Sequence, residues 1–126
     1  MSYRETLPEG CPPDASVEIA VEMCVFRLVK ASSATLDDFR SQRAEKPGAV
    51  FKGVTECQAR GLSVFRERAD AVQKALLLPR FRGFHVCLVR LSAGAGRIQQ
   101  TFQPSHHTWW PVAAFDLLAH CEREAA

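Results

Sequence analysis

No apolar run in the 126-residue chain approaches the roughly 20 residues that cross a bilayer. The first residues, MSYRETLPEGCPPD, lack the basic and apolar regions of a secretory signal. Both absences point to a cytoplasmic protein that keeps away from membranes. Cysteine is present five times, at Cys11, Cys24, Cys57, Cys87 and Cys121, but never as C-x-x-C and never closely spaced. That pattern argues against a disulfide framework and against a zinc knuckle, so no metal is expected. Cys24 and Cys87 lie in apolar runs and read as buried free thiols. G-x-S-x-G, H-E-x-x-H and P-loop motifs are missing, and Gly94-Ala95-Gly96 lacks the third glycine of a dinucleotide fingerprint. Acids are missing from a long stretch: none stands between Ala71 and Pro111.

What is present is an ordinary globular composition, 47% apolar, with a net charge of +2 that is unevenly spread. Residues 60–97 hold eight Lys/Arg against two Asp/Glu, a net of +6, between flanks of −2 each. A basic block of this kind is a first hint of an anionic partner. Arg60, Arg66, Arg68, Arg80 and Arg82 are its candidates for nucleic-acid phosphates.

Residues 1–15, rich in proline, read as an irregular arm, and 16–126 as one domain. From Ser16 to Lys30, Val17, Ile19, Val21, Met23 and Val25 alternate with mostly polar residues, the period of a strand. Thr35 with Asp38 starts a short helix docked by Leu36 and Phe39. A possible short helix lies near Glu56–Arg60. Gly61 then opens the short strand GLSVF. RERADAVQKALLLP is helical, with Phe65, Ala69, Val72 and Leu76 on one stripe. The nearly all-apolar run from Phe84 to Leu91 is a central strand. RIQQTFQ is a polar strand, and WPVAAFDLLAHCER a C-terminal helix with Pro111 in its first turn. Strands and helices mix without βαβ regularity. The expected fold class is therefore α+β, a mainly antiparallel sheet of about 4–5 strands with three short helices.

Three features carry candidate chemistry. Arg27 shares strand parity with Val25 and Val29, so it points where core residues point and needs a buried acid, a carbonyl or an anionic ligand. Ser63 follows a glycine, where the backbone is free to approach closely and a hydroxyl can face a cleft. Ser105-His106-His107-Thr108-Trp109-Trp110-Pro111 pairs two imidazoles with two indoles. Adjacent residues of an extended chain point to opposite sides, which predicts one buried and one exposed member of each pair. Exposed tryptophan anchors partner proteins, so Trp109 and Trp110, with Arg60 and His107, are candidate binding residues.

The runs Ala59–Phe65 and Ser105–Pro111 together resemble a family of small bacterial proteins of uncharacterised function. The chain also resembles the ADP-ribosyltransferase-like fold, which places an Arg or His on its first core strand, a Ser or Tyr on its second, and a Glu or other polar group on a later one. The resemblance implies Arg27, Ser63 and His106 as a catalytic set, with Gln100 or Gln103 as alternatives in the third place, and NAD as ligand. The acid-free stretch departs from that pattern, and a missing Glu implies altered chemistry or none. The leading expectation is a binding module that docks on a partner protein, without a cofactor. An NAD or nucleotide binder and a nucleic-acid binder are the alternatives.

Overall fold

The computed structural model describes residues 2–30 and 33–123. The small remainder of the expected 16–126 domain lies outside the described residues. The chain is α+β, as expected, but its antiparallel sheet has seven strands rather than four or five. They are β1 (Val17–Glu18), β2 (Met23–Val29), β3 (Leu62–Phe65), β4 (His85–Leu91), β5 (Gly96–Gln100), β6 (His106–Pro111) and β7 (Cys121–Arg123). Their order is β1-β5-β6-β3-β2-β4-β7. The three α-helices are α1 (Gln42–Glu45), α2 (Glu56–Ala59) and α3 (Arg68–Leu77).

The alternating run at 16–30 does not make one strand. It makes the two-residue β1 and, after a turn, β2. β2 pairs with β4 along its whole length, and β3 pairs with β6 in the same way. Between β2 and β3 the register holds only at Phe26 opposite Phe65. The sheet thus consists of two ladders, β1-β5-β6-β3 and β2-β4-β7, joined at one residue pair.

Parity divides the strands into two faces. One face buries Val25, Val29, Leu62, Val64, Cys87, Val89, Leu91, Ile98 and Trp109, and Phe39 and Leu117 close over it. The other carries Phe65, His106, Thr108 and Trp110, with Ala71 of α3 fully buried nearby. Thr55 and Gln58 form a reciprocal capping box that starts α2. The helical stripe expected on α3 is displaced: Ala71 is buried, whereas Leu76 is 82% exposed. Leu36 is likewise exposed, so Phe39 alone docks the 3-10 turn Leu36–Phe39.

Two further expectations fail. The run from Trp110 is not a helix. Trp110 and Pro111 end β6, and the chain then turns through a 3-10 segment, Leu118–His120, into β7. The reason lies in the indoles, which are core residues of a sheet covered on both sides. The cysteines are not all free: Cys11 is bonded to Cys57, and Cys87 to Cys121. Only Cys24 is a free thiol, and it is half-buried. The Cys87–Cys121 bridge ties β7 to β4 at the edge of the sheet, which a helix at that position would not permit.

Candidate functional site

Where the two ladders part, the structure has a cavity of about 440 Å³. That is the size of a small-molecule site. Its walls come from the end of β2, residues 37–46, β3, α3, the 3-10 turn Pro79–Phe81, and the β5–β6 loop with the start of β6. Arg27, Ser63 and His106 all line it. The three residues singled out from sequence therefore share one cavity, although they are far apart in the chain.

Arg27 follows the last residue at which β2 and β3 are in register, and its guanidinium enters the gap. Nε donates to the Asp38 carbonyl at 2.8 Å, Nη1 to the Ser63 carbonyl at 2.8 Å and Nη2 to the Arg40 carbonyl at 3.3 Å. The cation also stands 5.7 Å from the centre of the Phe39 ring. Burial lowers its pKa to about 10, while Glu45, Asp38 and Glu5 act in the opposite direction. Asp38 itself is buried; its carboxylate accepts from the backbone N–H of Lys30 and of Thr35.

Ser63 is exposed on β3, beside Gly61, which also lines the cavity. A side chain at Gly61 would meet Thr108 Cγ2 at 2.3 Å and Trp110 Nε1 at 3.0 Å, so the close backbone approach expected there is real. His106 begins β6 and is 4% exposed. Its Nδ1 lies 2.9 Å from Thr101 Oγ1 and 3.2 Å from the Thr101 carbonyl, and Thr101 Oγ1 lies 2.9 Å from Thr108 Oγ1. Burial, and then the charge of Lys74, push the His106 pKa down to about 4. The imidazole is therefore neutral near pH 7. The rings of Phe65 and Phe102 flank it, with centres 5.3 and 5.4 Å away. Phe102 is 62% exposed at the rim and holds φ 64°, a left-handed conformation that costs a bulky residue energy and that clusters at functional sites.

The other candidates lie elsewhere. His107 points to the opposite face, half-buried, with Nδ1 2.9 Å from the Ser105 carbonyl. Neither Trp109 nor Trp110 has an exposed surface to offer a partner. Trp109 packs edge-on to Phe115, and Trp110 donates from Nε1 to the Cys57 carbonyl at 2.9 Å. The prediction of one buried and one exposed indole fails because both faces of the sheet are covered. Arg60 is held by Glu56 at 2.8 Å and by the Thr6 carbonyl. Arg43 and then Arg60 keep the Glu56 carboxyl down at about 2. Gln100 and Gln103 are exposed and do not line the cavity.

Arg90 and Arg97, of the basic block 60–97, do not share one patch. Arg90 is paired with Glu122, and Arg97 donates to Ser16. The strands carrying them, β4 and β5, stand four positions apart in the sheet, on the order of 20 Å. Sequence reasoning missed Lys74, Phe81, Phe84 and Phe102, all of which line the cavity. The alternation Arg80-Phe81-Arg82-Gly83-Phe84 was the available signal, since aromatic and cationic residues together suit a flat, charged ligand. Among the described residues no group of three or more His, Cys, Asp or Glu is placed to hold a metal, and no helix is long and apolar enough to cross a membrane. Compared with known proteins, the chain matches no family model, no curated protein and no solved structure.

Proposed function

We propose that the cavity binds a nucleotide of the NAD type, in a protein of ADP-ribosyltransferase-like design. The observation that carries this reading is the presence of Arg27, Ser63 and His106 in one cavity. They come from the first long strand, the strand after it and a later strand, in the order the resemblance calls for. Cations and phenylalanine rings on the same walls suit phosphates and flat rings.

The reading is binding without group transfer. The acids on the cavity wall, Asp37, Asp38 and Glu45, all belong to the 37–46 side. The third place, on β6, holds a neutral imidazole, which cannot supply the negative charge that would steady a cationic transition state. Docking on a partner protein loses its anchor with the burial of both indoles. The two disulfides favour work in an oxidising compartment over the cytoplasm.

The test is calorimetric titration of the oxidised protein with NAD+. Saturable heat is expected in wild type, and reduced affinity in Ser63→Leu, which pushes a side chain into the cavity. No saturable heat at about 1 mM NAD+, where binding is worth less than about 4 kcal/mol, overturns the reading.

A further inference from the structure

The cations of the cavity fall into two groups with different surroundings. Arg27, Lys30, Arg40 and Lys46 share their side with Asp37, Asp38 and Glu45. Arg27 has already committed Nε, Nη1 and Nη2 to backbone carbonyls. Lys74, in the last turn of α3, and Arg80, in the turn that follows, line the cavity from other elements. No acid of the cavity belongs to those elements. Among the described residues neither Lys74 nor Arg80 makes a salt bridge.

Both are held close to aromatic surface. Lys74 Nζ lies 5.5 Å from the centre of the Phe65 ring, and the Arg80 guanidinium 4.9 Å from that of Phe81. Burial and then the neighbouring charge of Arg80 lower the Lys74 pKa, so the two cations are near enough to repel each other. Two like charges beside apolar rings, unanswered by any acid, are most stable with an anion between them.

We propose that Lys74 and Arg80 form the anion subsite of the cavity and take the phosphate groups of its ligand, while Arg27 serves as the structural wedge that holds β2 and β3 apart. The identity of the ligand rests on the nucleotide reading; the anion subsite does not.

The probe is inorganic pyrophosphate, titrated calorimetrically into the full-length oxidised protein at low salt. Wild type should bind it, and Lys74→Met with Arg80→Gln should weaken binding by about tenfold or more. Both sites are at least partly exposed, so the double variant should melt close to wild type. Arg90→Gln, which removes a cation that does not line the cavity, should keep its affinity within about threefold. If wild type fails to bind pyrophosphate at about 1 mM, or the double variant binds it as well as wild type, the proposal is overturned. Loss of binding in Arg90→Gln overturns it too, because the effect would then be one of net charge and not of the cavity. Pyrophosphate binding without NAD+ binding supports the anion subsite and rejects the nucleotide reading alone.

Discussion

Arg27 and Lys74 each bring a cation to the wall of the same cavity, and the two are held in opposite ways. Around Arg27 three carbonyls accept its protons and three carboxylates answer its charge. Around Lys74 there are a ring, a second cation and a neutral imidazole. A buried cation with its hydrogen bonds made is part of the architecture. A cation whose neighbours make it less stable is available to a ligand. The contrast shows that the surroundings of a charge say more about its role than its presence in a cleft.

The sharpest way to break that comparison is to remove each cation in turn and follow stability. Arg27→Met strands the carbonyls of Asp38, Arg40 and Ser63 at the gap between the ladders. The expected loss is about 2 kcal/mol, read from urea denaturation: a hydrogen bond from a charged donor is worth about 1.5–3 kcal/mol, and only the partly buried Asp38 carbonyl is slow to find water in its place. A loss below about 1 kcal/mol would show that the wedge is not needed.

The second effect is a pH dependence. The pKa of folded His106, about 4, lies below the ordinary value of 6.5. The unfolded chain therefore binds the proton more readily. The stability this contributes is complete above about pH 6.5 and is lost as the pH falls towards 4. The unfolding free energy should drop across that window by an amount on the order of 2 kcal/mol, and His106→Gln should flatten the curve. Because the Lys74 charge is one cause of the shift, Lys74→Met should move the His106 titration upwards in an NMR experiment. No movement would mean that burial alone sets it.

The smallest effect sharpens the contrast most. Lys74→Met should change stability by no more than about 0.5 kcal/mol, because the lost cation–ring attraction is offset by relief from burial and from Arg80. A loss comparable to that of Arg27→Met would make Lys74 a structural residue and erase the distinction between the two ends.

Much of this arrangement was legible in the sequence, and the illegible parts have definite causes. Strand parity placed Arg27 correctly because period two survives from Met23 to Val29. Gly61 and Ser63 were legible because a glycine before a strand signals close approach. β1 and β7, two and three residues long, are too short to show any period, so the strand count came out low. Phe115 and Leu118 mimic a helical stripe, while Cys121 is drawn to β4 by a bond to Cys87 that no local spacing announces. Arg80 was legible only as one of five basic-block candidates for phosphates, and Lys74 was not singled out. Only the fold brings the two into one cavity, on elements that carry none of its acids.

The two disulfides also divide the chain as a polymer. Residues 11–57 and 87–121 form two separate covalent rings, joined end to end by the open segment 58–86. Ring closure removes disorder from the unfolded state of each looped part, by about 4 kcal/mol in the chain-entropy picture, and leaves the open segment as free as before. That segment contains β3, α3, Lys74 and Arg80. The cationic wall of the cavity is thus the stretch with most disorder to regain on local opening, and its amides should exchange ahead of those of β2 and β4. It is also where a bound anion would add most to the cohesion of the chain.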